Sequence, residues 1–504
     1  MITDLLELQA GVRPDAPFLI TAGGEKSYGE SLRAVRQFAD LLRQSGVKAG
    51  DHVALLADNG TPYVIALLGI SWLGAVPVAL NNELIADGLR YSLTQSDSKF
   101  IIADTRWTNE KLPYLTGDLT KLPLILLEDE EVFFGQIASR DLAEKSCCAG
   151  SAPCTILYTS GTTGLPKGVV NSHDCYEAVG RDTVDILRLD ADDRIMVFLP
   201  LFHTNPQMYA LMSALTVGAS LILLKRFSAT SFFDDARRFR ATGVTFVGTV
   251  LSILVQRHPQ PQRDHGLRFA IGGGSPPDIW EAVHRRFGFL IHEVYGMTEI
   301  GGWVSCNSAR AYRLGSCGLV RPSMDVRIFD ERDRELPVGC AGEIVVRPSE
   351  PNVILNGYYN KPEELVRSSR NFWFHTGDRG YFDADGFLYF VGRSKELIRR
   401  GGEMISPVEI ETKLRNMDGV ADCAVVGVDD DVMGEEIKVA IVVRHPVEPE
   451  TVVEFLRQFL PRNQVPRYIE FLDKIPKTET EKIQRHKLRY LAENVSDMTA
   501  RPAN

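Results

Sequence analysis

Short apolar runs alternate with amphipathic stretches through about the first 390 residues of the chain. A strand that is covered on both faces reads as a short, continuous apolar run, whereas a surface helix repeats its apolar positions every three to four residues. The predicted helices are Leu32–Leu42 and Ser231–Ala241. The predicted strands are Val53–Leu56, Phe100–Ala103, Ile195–Leu199, Ser220–Leu224 and Val244–Val247. This alternation predicts an α/β fold with a parallel sheet.

The segment Tyr63–Leu80 is almost wholly apolar and is long enough to be considered as a membrane span. It contains Gly69, Gly74 and Pro77, which suit a break in secondary structure better than one continuous helix. We therefore predict a buried helix that ends near Gly74, followed by the strand Val76–Leu80.

The pattern changes in the last third of the chain. Asp325–Val346 has short β-type runs broken by Gly and Pro, which predict a small barrel-like subdomain. A domain boundary is expected near Gly392–Lys395. Beyond it the predicted elements are the helices Pro407–Arg415 and Glu450–Phe459 and the strands Ala424–Val428 and Val439–Val443. We predict a large N-terminal domain, residues 1–393, and a small C-terminal α/β domain, residues 394–504.

Composition narrows the class of protein. The 504 residues are 44 % hydrophobic and 24 % charged, as in soluble globular proteins, and the formal net charge is −10. An acidic balance argues against a nucleic-acid or anionic-membrane partner. The N-terminus has no basic region followed by a long apolar core, so no secretory signal is expected. Eight irregularly spaced cysteines without zinc-site spacing are interpreted as reduced thiols of a cytoplasmic protein.

The strongest local signal is the string Tyr158–Gly168, YTSGTTGLPKG, which follows the apolar strand Thr155–Tyr158. Its glycines let backbone N–H groups approach an anion, its hydroxyls are further donors, and Lys167 is a cation. These groups suit a polyphosphate. The string is not a Walker A loop, because Lys167 lies between proline and glycine and no Ser or Thr follows it.

A second string, Tyr295–Glu299, reads YGMTE. Together the two strings resemble signature motifs of the adenylate-forming superfamily, which comprises acyl-CoA synthetases, peptide-synthetase adenylation domains and beetle luciferases. The resemblance implies that the Tyr295 ring packs on adenine, that Thr298 binds the α-phosphate and that Glu299 positions Mg²⁺. Mg²⁺ independently prefers carboxylate and phosphate oxygens.

Further strings match the superfamily in the same order along the chain. Gly272–Pro277 resembles its adenine-binding turn, Asp378 stands where an aspartate binds the two ribose hydroxyls, and Arg393 is expected at ribose or phosphate. The resemblance thus assigns ATP and AMP binding to these residues: Thr159, Ser160, Gly161, Thr162, Thr163, Gly164, Lys167, Gly273, Gly274, Ser275, Pro276, Tyr295, Gly296, Met297, Thr298, Asp378 and Arg393.

The segment from Gly392 to Glu411 resembles the motif that joins the two domains. Lys395 stands at the hinge position, and Gly401 and Gly402 are expected to line the tunnel for the pantetheine arm of coenzyme A. Arg399 and Arg400 are interpreted as part of a solvated face.

Near the C-terminus, Pro476–Arg485 resembles the terminal motif of the superfamily. The resemblance implies that Lys482 reaches the substrate carboxylate and the α-phosphate during adenylation. The residue before this lysine is commonly glycine in the family, but here it is Glu481. This departure either orders Lys482 or weakens its attraction for phosphate.

Within the superfamily the chain looks most like the fatty-acid and carnitine-type CoA ligases, because Leu199–His203 resembles their motif at the acyl pocket. The expected pocket residues are His203, Phe246, Gly248, Ile300, Gly301, Gly302 and Trp303. The segments Phe246–Thr249 and Ile300–Trp303 contain no charged side chain, so we expect an uncharged, mostly apolar acid larger than acetate. The alternative is that the two glycines serve only the backbone turn.

The resemblance implies an AMP-forming acid–thiol ligase with Lys482, Thr298, Glu299 and His203 as catalytic residues and ATP, Mg²⁺ and coenzyme A as its cofactors. Two alternatives remain open at this point: loading of a separate carrier protein, and a non-catalytic adenylate-binding protein. A luciferase-like oxygenase would need a different acyl substrate, which the sequence does not reveal.

Overall fold

A computed structural model describes residues 1–84, 86–159, 166–393, 396–400, 403–430, 433–460, 462–478, 483–492 and 494–498. The fold is mixed α/β, as predicted, and the described residues form four sheets. The α-helices are α1 Ile2–Val12, α2 Tyr28–Gln44, α3 Thr61–Trp72, α4 Ala86–Gln95, α5 Thr105–Lys111, α6 Glu130–Ile137, α7 His173–Leu187, α8 Met212–Val217, α9 Phe232–Phe239, α10 Gly248–Arg257, α11 Pro277–Arg286, α12 Pro362–Ser368, α13 Pro407–Arg415 and α14 Pro449–Arg457.

The strands are β1 Pro17–Thr21, β2 Gly24–Ser27, β3 His52–Leu56, β4 Val76–Ala79, β5 Phe100–Asp104, β6 Leu124–Leu127, β7 Pro153–Thr159, β8 Lys167–Ser172, β9 Arg194–Val197, β10 Ser220–Leu223, β11 Gly243–Val247, β12 Phe269–Gly273, β13 Leu290–Met297, β14 Gly302–Cys306, β15 Leu319–Val320, β16 Met324–Phe329, β17 Gly342–Pro348, β18 Gly357–Tyr358, β19 Ser369–Arg370, β20 Trp373–Phe382, β21 Leu388–Arg393, β22 Ile398–Arg400, β23 Glu403–Ile405, β24 Val420–Asp430, β25 Gly434–Val443, β26 Tyr468–Phe471 and β27 Ser496–Asp497.

Two large sheets share one plan, a parallel centre with antiparallel strands at an edge. The first has the order β15-β14-β13-β12-β11-β9-β10-β1-β2 and is parallel from β13 to β1. The second has the order β18-β8-β7-β4-β3-β5-β6 and is parallel from β7 to β6. The predicted parallel sheet is therefore present twice. Its strands are covered on both faces, which explains their unbroken apolar runs.

The apolar segment after residue 60 forms α3 followed by β4, as predicted. Gly74 lies between them with φ +69°, a conformation that glycine adopts without steric cost. Nearly every side chain of α3 is buried, so the helix is apolar all round because it lies inside the protein. Among the described residues no helix is both long and apolar enough to cross a membrane.

Helix α2 shows how the chain sets an element boundary. The Ser27 hydroxyl accepts a hydrogen bond from the Glu30 N–H at 3.2 Å, and the Glu30 carboxylate accepts one from the Ser27 N–H at 2.8 Å. This capping box satisfies two free backbone donors at the start of the helix. The helix is longer than the predicted Leu32–Leu42, because its first turn is held by the cap rather than by apolar spacing.

The chain folds into two compact units. The first contains Met1–Val326 and Val346–Phe374, and the second contains Arg327–Val345 and His375–Asn504. The chain passes between the units within β16, β17 and β20, which belong to a five-stranded sheet of order β16-β17-β20-β19 with β21 on β20. This sheet is the β-rich subdomain predicted from Asp325–Val346. The division at residue 393 stays a prediction.

The C-terminal part of the second unit is a sheet of order β23-β22-β25-β26-β27, with β24 beside β25. Along β24, Cys423 and Val425 pack with the helices α13 and α14, whereas Ala424 and Val426 belong to a separate apolar cluster with Leu488. Side chains of a strand alternate between two faces, so one face carries the helices and the other carries the end of the chain.

Candidate active site

The predicted site residues of the first unit lie just beyond the carboxyl ends of neighbouring strands. His203 follows β9, Gly248 follows β11, Gly274 follows β12 and Thr298 follows β13. These strands are adjacent and parallel in the nine-stranded sheet, so their carboxyl ends share one edge. That edge is where open α/β sheets bind ligands.

The phosphate-loop string lies between two paired antiparallel strands. Thr159 at the end of β7 lies opposite Lys167 at the start of β8. Ser160, Gly161, Thr162, Thr163 and Gly164 lie outside the described residues. The pairing brings the hydroxyl and the cation that flank the loop side by side, which agrees with their predicted use on one polyphosphate.

Glu299 is the carboxylate around which the other groups gather. It is 6 % exposed and lies in the turn after β13. Its Oε1 accepts hydrogen bonds from the Thr159 hydroxyl at 3.1 Å and from the Tyr358 hydroxyl at 3.4 Å. Burial, followed by the charge of Glu299, raises the pKa of Tyr358, so Tyr358 stays a neutral donor. The YGMTE string and the loop string, about 140 residues apart, therefore meet at this carboxylate.

Thr298, the predicted α-phosphate ligand, shares a hydrogen bond with Thr204, the two hydroxyl oxygens being 2.6 Å apart. Thr204 directly follows His203, whose ring packs against that of Phe202 with the centroids 4.4 Å apart. The segment predicted to lie at the acyl pocket thus contacts the predicted α-phosphate residue. The two substrates of an adenylation must meet at such a place.

The predicted adenine turn is hydrogen-bonded to Glu293 on β13. Its carboxylate accepts hydrogen bonds from the N–H of Gly274 at 2.5 Å and from the N–H of Ser275 at 3.3 Å. Burial raises the pKa of Glu293 to about 8, although the two backbone N–H groups act in the opposite direction. Pro276 follows as the N-cap of α11. The position of the turn therefore depends on a buried carboxyl group.

Close backbone packing leaves no room for a side chain at two glycines of the predicted site. An added Cβ at Gly248 would lie 1.7 Å from the carbonyl oxygen of Gly274, and one at Gly296 would lie 2.0 Å from that of Gly302. Such distances exclude any other residue. At Gly248 the missing side chain accommodates the turn rather than leaving open space, and the assignment of Gly248 to the acyl pocket stays a prediction.

The glycine pair after Glu299 adopts left-handed backbone conformations, with φ of +70° at Gly301 and +84° at Gly302. An added Cβ at Gly301 would lie 2.2 Å from the carbonyl oxygen of Val353. At Gly302 it would lie 3.1 to 3.2 Å from the side chains of Tyr209, Met208 and Val179. These conformations favour the alternative in which the glycines serve the backbone turn.

The large apolar residues expected at the acyl pocket are buried. Phe246 and Ile300 are 0 % exposed and Trp303 is 1 % exposed. The Trp303 indole N–H donates to the Thr183 hydroxyl at 2.9 Å, and Phe246 belongs to the apolar cluster around α9 and α10. Tyr295, the residue expected to stack on adenine, is 5 % exposed. Their contacts with an acid or with adenine stay predictions.

Lys167 is paired rather than solvated. Its Nζ forms an ion pair with the carboxylate of Glu364 on α12, and it lies 5.0 Å from the centroid of the Tyr358 ring. Since the Tyr358 hydroxyl donates to Glu299, the predicted pyrophosphate cation and the predicted metal carboxylate contact the same tyrosine.

The donor set is suited to magnesium. Glu299 is a buried carboxylate with hydroxyl groups around it, and Mg²⁺ is usually held by one or two carboxylates together with substrate phosphates. Where the structure describes the chain, no three or more His, Cys, Asp or Glu residues gather as a metal cluster. The residues fit a cation that the nucleotide brings with it better than a site built from protein ligands alone.

In the second unit, the predicted ribose residues lie side by side. Asp378 on β20 pairs in register with Arg393 on β21, and the Arg393 Nε lies 3.4 Å from the Asp378 carboxylate. Asp378 is 6 % exposed, and its N–H bonds to the Thr376 hydroxyl at 3.1 Å. The two predicted nucleotide residues of this unit therefore form one local group.

The hinge residue Lys395, the tunnel residues Gly401 and Gly402, and the catalytic Lys482 lie outside the described residues. The chain around Lys482 is closed by an antiparallel bridge between Lys477 and Ile483. Just beyond it, Arg485 forms an ion pair with the buried carboxylate of Glu411 on α13. Lys477 forms an ion pair with Asp422 on β24, and Arg485 donates to the Val425 carbonyl on the same strand at 2.7 Å, so the described residues on both sides of Lys482 contact the sheet of the second unit.

Three residues of the first-unit site were missed by sequence reasoning: Glu293, Tyr358 and Glu364. For Glu293 a signal existed, because a carboxylate stands inside the otherwise buried strand two residues before Tyr295. Tyr358 and Glu364 are far from the strings they contact, and no local pattern marks them.

A parallel α/β core with a glycine turn beyond its strand ends is typical of nucleotide-binding enzymes. The family model of the AMP-binding enzymes matches residues 6–359, and that of the AMP-binding enzyme C-terminal domain matches residues 409–482. The chain therefore belongs to the AMP-binding enzyme family, which confirms the predicted adenylate-forming superfamily.

The similar proteins are CoA ligases. The chain is 33 % identical over 508 residues to the probable CoA ligase CCL9 of Humulus lupulus, with 96 % of this chain and 95 % of that protein covered. It is 32 % identical over 510 residues to the oxalate–CoA ligase of Arabidopsis thaliana, with 96 % and 97 % covered. The o-succinylbenzoate CoA synthetase MenE of Bacillus subtilis, solved with its acyl-adenylate intermediate, superposes with a TM-score of 0.87 at 26 % identity, covering 97 % and 98 %.

Proposed function

We propose that the protein activates a carboxylic acid with ATP to an acyl-adenylate and then transfers the acyl group to coenzyme A. The observation that carries the proposal is a pair of contacts: Thr159, at the end of β7, bonds to Glu299 after β13, and the adjacent Thr298 bonds to Thr204. These contacts bring the groups that we propose bind phosphate to the segment expected at the acid. Family membership and CoA-ligase relatives support the same activity.

In the first step, a carboxylate oxygen of the acid attacks the α-phosphorus of ATP. The new bond joins that oxygen to phosphorus, and the bond from phosphorus to the pyrophosphate oxygen breaks. Both reactants are anions, so cations and backbone donors must offset their repulsion. In our proposal Lys482 acts at the carboxylate and α-phosphate, Thr298 donates to the α-phosphate, and Lys167 holds the pyrophosphate that leaves.

In the second step, the thiolate of coenzyme A attacks the acyl carbon, and the bond from that carbon to the AMP oxygen breaks. The thiol proton is lost to solvent or base before attack. Lys482 has no task in this step. We infer that the C-terminal domain turns about Lys395 between the steps and brings Gly401 and Gly402 to the pantetheine arm.

The proposal includes one magnesium ion, bound at Glu299. Glu299 would hold the ion, which would neutralise charge on the polyphosphate. The hydroxyls of Thr159 and Tyr358 both donate to Oε1 of Glu299 and so fix the orientation of this carboxylate. The chain's own contribution is to hold this carboxylate beside Thr159, where the phosphate loop begins.

Nucleotide and acid binding complete the assignment. The turn from Gly273 to Pro276 would hold adenine against Tyr295, and Asp378 with Arg393 would bind the ribose. His203 is proposed beside the reacting carboxylate, because its neighbour Thr204 bonds to Thr298 at 2.6 Å. The acid is proposed to be uncharged and larger than acetate, as the pocket sequence predicts.

The test is acid-dependent exchange between ATP and labelled pyrophosphate across a panel of acetate, branched, aromatic and dicarboxylic acids. Exchange with at least one acid, followed by AMP and acyl-CoA in equal amounts when coenzyme A is added, is the expected result. AMP without acyl-CoA, and thioester only with a carrier protein, would replace coenzyme A as the acceptor. A protein that binds AMP but exchanges pyrophosphate with no acid would be a non-catalytic adenylate-binding protein.

A further inference from the structure

Lys167, which flanks the phosphate loop, is held by a carboxylate from a distant part of the chain. Its Nζ forms an ion pair with Glu364, which is 197 residues away in sequence. The two side chains are only 11 % and 12 % exposed, so water screens the pair less than it screens a surface salt bridge. We propose that Glu364 is a positioning residue that aims Lys167 at the pyrophosphate and, by sharing its charge, limits how tightly pyrophosphate is held.

The local fold fixes the carboxylate in this place. Tyr358 pairs in register with Val169 on β8, the strand that begins at Lys167, and the Tyr359 N–H donates to the Gly168 carbonyl at 2.8 Å. Helix α12, which carries Glu364 in its first turn, starts a few residues later. The pairing of β18 with β8 therefore places the first turn of α12, and with it Glu364, beside Lys167.

The ion pair of Lys167 and Glu364 is linked through Tyr358 to Glu299. On its other side Lys167 lies 5.0 Å from the Tyr358 ring centroid, and the Tyr358 hydroxyl bonds to Glu299. Lysine is a flexible point charge with several rotatable bonds, and such a side chain loses considerable entropy when it is fixed. Two contacts from one segment fix it in advance, beside the carboxylate proposed to hold the metal.

The charge of Glu364 has a second consequence. Its hydrogen bond with Lys167 lowers the pKa of Glu364, so the carboxylate is ionised at neutral pH. It also accepts a hydrogen bond from Arg367 at 2.9 Å. Pyrophosphate must share Lys167 with this anion and is repelled by it. A neutral side chain of the same shape would therefore raise the affinity for pyrophosphate and slow its release.

The inference rests on the proposed function, and the variant Glu364→Gln tests it. The matched control is Glu363→Gln, because Glu363 is the exposed carboxylate next to it in the same helical turn. Titration calorimetry with magnesium pyrophosphate should give a Kd about three- to fivefold lower for Glu364→Gln, the range expected for losing one ion pair. Glu363→Gln should change the Kd by less than about twofold, since exposed charges are screened.

A kinetic readout separates positioning from a folding defect. In Glu364→Gln, pyrophosphate should inhibit adenylation at about three- to fivefold lower concentration. Thioester formation from supplied acyl-adenylate involves no pyrophosphate, so a variant that had lost structure would be slower in this step as well. Glu364→Ala removes the hydrogen bond to Lys167 as well as the charge, so it should gain less affinity for pyrophosphate than Glu364→Gln. Lys167→Met should bind pyrophosphate more weakly than the wild type.

Three results would overturn the inference: equal or weaker pyrophosphate binding in Glu364→Gln, an equal gain in Glu363→Gln, or unchanged binding in Lys167→Met. Failure of the proposed function would look different. In that case the wild-type protein would exchange pyrophosphate with no acid, whereas the calorimetric comparison of the variants would still decide the role of Glu364.

Discussion

Glu293 and Glu299 come from one strand and the turn after it, yet they have different surroundings. Glu293 lies inside β13, and its carboxylate accepts hydrogen bonds from the N–H groups of Gly274 and Ser275. Glu299 lies beyond the strand end and accepts from two side-chain hydroxyls. The first carboxyl positions a turn, whereas the second is the carboxylate that we propose holds the metal.

The burial of Glu293 predicts a pH dependence of stability. Its pKa is raised to about 8 in the folded protein, from about 4.5 in an exposed chain, so folding favours the protonated form. Its contribution to the free energy of unfolding is complete below about pH 4.5 and is lost as the pH rises through 8. In Glu293→Gln this loss should be absent, and chemical denaturation at several pH values measures it.

The relevant quantity is the difference in unfolding free energy between wild type and variant. Burial lowers the pKa of His173 and of His292 to about 4, so these residues reduce stability as the pH falls from 6.5 to 4. They are present in both proteins and cancel in the difference. Glu281→Gln, which removes an exposed carboxylate on α11, is the control. A difference that did not change between pH 5 and 8 would contradict the prediction.

Lys482 is expected to act in one half-reaction only. In Lys482→Ala, adenylation should fall by roughly 10²- to 10³-fold, the scale for losing one group that stabilises charge in a transition state. Thioester formation from supplied acyl-adenylate should be retained. Pyrophosphate exchange and acyl-CoA formation, measured separately, test this.

The control for Lys482→Ala is Lys487→Ala, which removes an exposed lysine five residues further on. Glu481→Gly restores the residue that is common in the family and shows whether the glutamate weakens or orders Lys482. Equal losses in both half-reactions of Lys482→Ala would refute the step-specific role, and no loss would assign the task to another cation.

At the scale of elements, the site is made by strand ends and tight turns. Thr159 and Lys167 are brought together by the pairing of β7 with β8, and the glycine turn is brought to Gly248 by the parallel pairing of β11 with β12. Where two backbones approach this closely, a glycine is required by packing rather than by ligand binding. Gly302 is the position at which these two explanations can be separated.

Gly302→Leu should lower activity on all acids alike. A residue other than glycine at a positive φ costs about 1–2 kcal/mol, and at φ +84° the new Cβ would also press on Tyr209, Met208 and Val179. Melting temperature and activity across the acid panel measure the two effects. Gly50→Leu is the control, because Gly50 has φ +80° but an added Cβ there meets no atom within 4 Å. A shift toward smaller acids at an unchanged melting temperature would support the acyl-pocket interpretation instead.

At the scale of the whole molecule, the chain forms two compact units with separate apolar cores. The loop, the glycine turn and Glu299 belong to the first unit, whereas Asp378, Arg393 and the terminal motif belong to the second. The proposed two-step reaction assigns different residues of the second unit to each step. Because each step is proposed to use different residues of the second unit, blocking rotation at Lys395 should affect the two steps differently.

Lys395→Pro should retain adenylation and lose thioester formation. Proline fixes φ near −65° and also restricts the residue before it, so rotation at this position is blocked. Lys395→Ala is the matched control, because it removes the same charge without fixing the backbone. Single-turnover assays of each half-reaction provide the measurement. Equal activity of Lys395→Pro in both steps would show that the domains do not turn about this residue.

Much of the architecture and chemistry was determined by the sequence alone. Apolar runs predicted the strands β3, β5, β10 and β11 to within one or two residues. A strand that is buried on both faces must itself consist of apolar residues, so its position can be read from the local sequence. The strings around Lys167 and Glu299 predicted the nucleotide chemistry and the family, since a loop that binds phosphate needs its glycines, hydroxyls and cation within a few consecutive residues.

Only the tertiary structure decided which distant groups complete the site. Lys167 and Glu364 are 197 residues apart, and their pairing depends on which strand lies beside β8. The conformations of Gly301 and Gly302 likewise depend on Val353 and Tyr209, which pack against them from other segments. Such contacts arise from the order of strands in a sheet and from close packing between them, and neither leaves a periodic signal in the chain.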